Sequence, residues 1–181
     1  MTTEETIRKI KAEFRRGMNG VVSSSMREKG LHYKLNFGLT LPILKEISQQ
    51  YPKDAEVAEK LWHEEIRESK LLAPMLYPAE MMDMETAKRW IAEIPNTEVA
   101  DICNMYLISK LPYAKTLAYE YSKSDKELEI YIALSLFNRL AMAGGIGEKE
   151  KTEIMAIAEQ HKAETSPTVT IAALRLADRL Q

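Results

Sequence analysis

The sequence contains one cysteine, Cys103, and three histidines, at positions 32, 63 and 161. A lone thiol forms no intramolecular disulfide and three scattered imidazoles offer no metal-ligand spacing, so neither a disulfide scaffold nor a zinc module is expected. Such cysteine usage fits a reducing cytoplasm. Seven Gly and seven Pro are too few for a collagen-like or low-complexity chain. No apolar run reaches the roughly 18 residues of a membrane span, because Pro74, Pro78 or polar residues interrupt each one. The opening MTTEETIRKIKAEF is charged throughout, unlike an apolar export signal, so no membrane partner is expected. Also missing are a G-x-G-x-x-G fingerprint, a P-loop and a nucleophile elbow, and His63-Glu64-Glu65-Ile66-Arg67 lacks the second histidine of a zinc protease helix. These absences exclude most nucleotide- and metal-dependent enzyme classes, and no cofactor is expected.

What is present is a globular composition: 181 residues, 45% apolar and 29% charged, enough to bury a core as one domain over 1–181. The net charge of −2 hides an asymmetry. Between Arg8 and Lys34 lie eight basic residues against the two acids Glu13 and Glu28, so the rest of the chain is acidic. A basic surface on an acidic body is a natural phosphate site, although a solvated helix face has the same composition.

Helical periodicity dominates. Ile7, Ile10 and Phe14 recur at three and four residues behind acids Glu4 and Glu5, which predicts a helix over 3–18. Further helices are predicted at 21–29, from Thr40 to about Pro52, over AEVAEKLW behind Asp54, and at 65–76, 84–94, 98–110, 113–121, 126–143, 148–161 and 167–180. LHYKLNFG reads as a loop. Asp54, Asp83 and Pro112, each 29 residues apart, precede small-residue helices that end in an aromatic. That regularity predicts an all-α solenoid, a superhelix of about ten helices in antiparallel hairpins, with GGIG at 144–147 setting off the last pair. Trp62, Trp90 and Cys103 read as core, and the Met75, Met81, Met82, Met84 cluster as gap-filling. Tyr33 and Phe37, interleaved with His32, Lys34 and Asn36, fit either a hydrophobic plug or a loop against a nucleic-acid backbone.

Three segments carry more information together: HYKLNFGLTLPILKEI, EKLWHEEIRESKLLA and TAKRWIAEIPNTEVADI. In order and spacing they resemble the DNA alkylation repair glycosylase family, built from HEAT-like helical repeats, over most of 20–143. Phe37, Gly38, Leu39, Pro42, Leu44, Lys45 and Ile47 stand in the places of its first motif, and Leu61, Trp62, Glu68, Leu71, Leu72 and Ala73 in those of its second. The resemblance implies excision of cationic N3- or N7-alkylated purines from duplex DNA held in a concave face. Such chemistry needs little from the protein: the base already carries positive charge, and a carboxylate with aromatic faces steadies the oxocarbenium-like sugar.

Carried over position by position, the family's catalytic acid falls on Asp101, while its tryptophan place is held by Thr97 and its phosphate-clasping arginine place by Tyr131. A later element matches Ala172, Ala173, Leu174 and Arg175 without its aromatic. Helical spacing puts Thr97, Asp101 and Asn104 on one side, which makes Thr97, Asn104 and Tyr131 candidate neighbours of a catalytic Asp101. An ordinary Asp in a first helical turn capped by Thr97 gives the same pattern. Arg27, Lys29, Lys34 and Lys45 are the candidate DNA-binding cations. Three readings remain open: a glycosylase, a family member that binds damaged or branched DNA without excision, and a helical-repeat adaptor that binds protein.

Overall fold

The computed structural model describes residues 1–163 and 166–181. Among them are eleven α-helices and no strand beyond an isolated parallel bridge between Leu35 and Ile66. The chain forms two compact units, Met1–Met81 and Met82–Gln181. No helix among the described residues is long and apolar enough to cross a membrane.

The first unit holds α1 (Thr3–Arg16), α2 (Gly20–Glu28), α3 (Leu41–Gln49), α4 (Ala55–Trp62) and α5 (Arg67–Leu76). A capping box at Thr2 and Glu5 starts α1, and its stripe of Ile7, Ile10 and Phe14 is buried, with α1 packed on α4. Every residue of α5 except Lys70 is buried, because α3 and α4 both pack on it. By contrast, α2 buries no residue fully.

The loop between α2 and α3 is pinned from α5. The Glu68 carboxylate is fully buried and accepts the amides of Phe37 at 3.0 Å and Leu39 at 3.2 Å. Arg67 donates to the Leu39 carbonyl at 2.9 Å and to Glu68 at 3.0 Å. Between those two amides sits Gly38, at φ +75°, where a Cβ would stand 2.3 Å from the Asn19 carbonyl oxygen. Only glycine fits both the left-handed backbone and that contact. Phe37 is buried with its ring centroid 6.1 Å from that of Phe14, so this part of the aromatic loop is a hydrophobic plug, while Tyr33 is half-buried.

The second unit holds α6 (Met84–Glu93), α7 (Thr97–Tyr106), α8 (Ala114–Tyr121), α9 (Glu127–Met142), α10 (Glu148–His161) and α11 (Pro167–Leu180). The centre is α9, apolar on more than one side, against which α6, α7, α8 and α11 pack, while α10 packs on α11. Trp62, Trp90 and Cys103 are buried, as are Met75 and Met82, whereas Met81 and Met84 are exposed.

Two expectations are corrected. The helix expected over 98–110 stops at Tyr106: Leu107 leaves it at φ −132°, ψ −65°, and a 3-10 turn follows over Ile108–Lys110. The break lets the adjacent Leu107 and Ile108 both be buried. The 29-residue register holds for Asp54 and Asp83, each an N-cap, but not for Pro112, since α8 starts at Ala114 behind Tyr113. Proline holds the preceding Leu111 extended, at ψ 141°, which delays the helix.

Candidate functional site

Asn96, not Thr97, caps α7: its side-chain oxygen accepts the Val99 amide at 3.0 Å. Asp101 is therefore past the first turn, where it and Asn104 share a face at i, i+3. Packing of α7 on α9 brings up Tyr131, Ser135, Asn138 and Arg139, at i, i+4, i+7 and i+8 of α9, and α11 adds Ala172 and Arg175 at i, i+3. These eight residues line a recess of about 130 Å³. A shallower recess adjoins it, lined by Asn138, Arg175, Asp178 and Arg179.

Asp101 is half-buried and accepts the Tyr131 hydroxyl at 2.9 Å. Burial pushes its carboxyl above the usual range, opposed by the Tyr131 hydrogen bond and by the charges of Arg139 and Arg175. Burial and the neighbouring carboxylate push the Tyr131 phenol up as well, so the hydroxyl stays protonated and donates. Arg139 is half-buried and Arg175 exposed, and neither takes part in an ion pair among the described residues. Asn104 is buried, its side-chain nitrogen donating to the Ile132 carbonyl at 3.1 Å and to the Ser135 hydroxyl. The side-chain oxygens of Asn104 and Asn138 are buried and accept no hydrogen bond among the described residues.

The raised Asp101 carboxyl fixes a sign. A group whose folded pKa lies above its unfolded value favours folding when protonated, and that contribution is lost as pH rises through the folded pKa. At pH 7 ionised Asp101 therefore costs stability. Asp101→Asn keeps an acceptor for Tyr131 and should melt higher than wild type at pH 7, by roughly 1–3 °C. The difference should close near pH 3, below the ordinary aspartate value of 3.8. A variant that melts lower at pH 7 would contradict this account.

Of the expected site residues, Asp101, Asn104 and Tyr131 come together, whereas Thr97 does not line the recess. Where the resemblance left the clasping position to Tyr131, the cations beside the acid come from Arg139 and Arg175. Arg139, Ser135 and Asn138 were missed. Their only signal was helical spacing from Tyr131, which indicates a shared face but not what that face meets. The expected DNA-binding cations lie in the first unit. Arg27 and Lys29 are exposed at the end of α2, Lys45 is exposed on α3, and Lys34 is paired with Glu65 at 2.6 Å. That pair raises the Lys34 pKa and lowers that of Glu65.

The architecture is that of an all-α, HEAT-like repeat protein. A solved structure described under the words "A new family of proteins related to the HEAT-like repeat DNA glycosylases with affinity for branched DNA structures" has the same fold, with a TM-score of 0.86 and 15% sequence identity, covering 96% of this chain and 74% of that one. No curated protein matches. The family described as DNA alkylation repair enzyme matches residues 10–175, and the chain belongs to that family.

Proposed function

We propose that this protein binds DNA through the sugar–phosphate backbone at the recess beside Asp101, with Arg139 and Arg175 as the phosphate contacts. One observation carries the reading: two guanidiniums, outside any ion pair among the described residues, converge on a polar recess. Guanidinium forks match phosphate oxygens in geometry and charge. Arg179, one turn beyond Arg175 on α11 and lining the adjoining recess, extends the track. Taken by itself, the first unit carries Arg27, Lys29 and Lys45 as exposed candidates for backbone contact, with Lys34 less available because Glu65 offsets its charge. Family membership and the similar structure described as having affinity for branched DNA support the same reading.

A second reading, excision of a cationic alkylated purine, is favoured by Asp101 itself. Its carboxylate lines the recess rather than being sealed in the core, and could steady a developing sugar cation. The surrounding charge opposes it: one carboxylate faces two guanidiniums, and both tryptophans are buried in packing. Purified protein is therefore expected to retard duplex and branched DNA, with affinity falling steeply between 50 and 200 mM salt, while releasing no methylated purine from alkylated duplex above background. Release that Asp101→Asn abolishes would establish excision instead. Binding to neither DNA would remove both readings.

A further inference from the structure

The first unit, taken by itself, carries a groove whose charges do not balance. Arg8, Lys11 and Arg15 lie at i, i+3 and i+7 of α1 and so form one stripe. With Glu4, Ile7 and Glu64 they line a recess of about 290 Å³. A neighbouring recess of about 310 Å³ shares Lys11 and Glu64 and adds Lys34, Leu35, Glu65 and Ile66. Each acid that lines the groove is already paired. Glu64 accepts Lys11 at 2.8 Å and the Ser69 hydroxyl at 2.6 Å. Glu4 pairs with Lys60 and Glu65 with Lys34, each at 2.6 Å. Arg8 and Arg15 are exposed and take part in no ion pair among the described residues, so the surplus is two guanidiniums. Beside them lies apolar surface. Leu35 is held through its backbone, its amide donating to the Glu65 carbonyl at 3.3 Å and its carbonyl accepting the Arg67 amide at 3.0 Å, yet the residue stays 44% exposed.

We propose that this groove binds a short acidic peptide segment of another protein, with carboxylates on Arg8 and Arg15 and aliphatic side chains against Leu35 and Ile66. Guanidinium forks pair with carboxylates in bidentate geometry. Charge complementarity favours a peptide over a nucleic acid. A backbone with a phosphate at every nucleotide would pass Glu4, Glu64 and Glu65 and leave Leu35 uncovered. A peptide that alternates acidic and apolar residues presents one kind on each side and meets both the guanidiniums and the aliphatic surface. Seven residues of helix separate the two arginines by about 10.5 Å, which three or four extended residues span, so the segment is short. The proposal is independent of DNA binding beside Asp101.

The test is fluorescence anisotropy with the intact protein and a labelled decapeptide of alternating glutamate and leucine. Wild type should bind it about tenfold tighter than a control with lysine for glutamate, and about tenfold tighter than one with serine for leucine. Replacing Arg8 and Arg15 together by alanine should remove the preference for glutamate over lysine and leave retardation of branched DNA unchanged. Both arginines are exposed and outside ion pairs among the described residues, so this double variant should keep the wild-type Tm. Leu35→Ser should remove the preference for leucine over serine. Failure of wild type to bind the glutamate–leucine peptide overturns the proposal, as does equal affinity for either control. A glutamate preference that survives loss of both arginines overturns the assignment to this groove. Branched DNA that displaces the peptide from wild type, and binds the double variant about tenfold more weakly, assigns the groove to nucleic acid and overturns the proposal as well.

Discussion

Replacing Arg139 and Arg175 together by alanine is expected to weaken DNA binding by roughly 100-fold, at about 1.5 kcal/mol for each charge-assisted contact. The dependence on salt should also flatten. Each neutralised phosphate contributes about −0.9 to the slope of log affinity against log salt, so losing two contacts should make the slope shallower by about 1.8. Fluorescence anisotropy across a salt series measures both quantities on one protein. Stability should fall only slightly: no ion pair among the described residues is broken, and the loss is the two charges that favour ionised Asp101. If both affinity and slope match wild type, the arginines are not phosphate contacts. A partner whose binding ignores salt altogether would instead fit a protein-binding adaptor.

The largest stability effect is expected at Glu68. It is fully buried, as is its partner Arg67 at 4% exposure, and it accepts two backbone amides besides the guanidinium. Burying a charge is tolerated only when its partners satisfy it. Glu68→Ala would orphan the amides of Phe37 and Leu39 and leave a buried guanidinium short of its carboxylate, a cost of about 3–5 kcal/mol. For a chain of this length that corresponds to a fall in Tm of roughly 10 °C. Glu68→Gln keeps the shape but turns an N–H toward donors that need an acceptor, so it should fall between alanine and wild type. A loss under about 1 kcal/mol for Glu68→Ala, read from a urea or thermal midpoint, would show that packing alone holds the loop.

The helices were legible wherever a capping residue precedes an apolar stripe. Thr2, Asn19, Asp54 and Asp83 each cap the helix that follows. The stop at Leu107 was not legible, because nothing local ends a helix there and the burial of Leu107 and Ile108 decides it. The motif positions Gly38 and Glu68 pointed correctly to architecture, but their purpose shows only when the loop and α5 are seen together. A smaller part of the site followed the same rule. Asp101 and Asn104 lie one turn apart, so sequence spacing finds them, whereas Arg139 and Arg175 reach Asp101 through the packing of three helices, which spacing does not encode. The basic excess before Lys34 misled in degree, because Lys11, Arg16 and Lys34 are each paired with a glutamate.

The central claim is that DNA lies against the two guanidiniums beside Asp101. Arginine-specific labelling with phenylglyoxal, read by peptide mass spectrometry with and without a branched duplex, tests it directly on the intact protein. The account predicts that DNA slows labelling of Arg139 and Arg175 several-fold while Arg8 on α1 labels at an unchanged rate. Labelling of Arg139 and Arg175 at the same rate with bound DNA as without it would contradict the account.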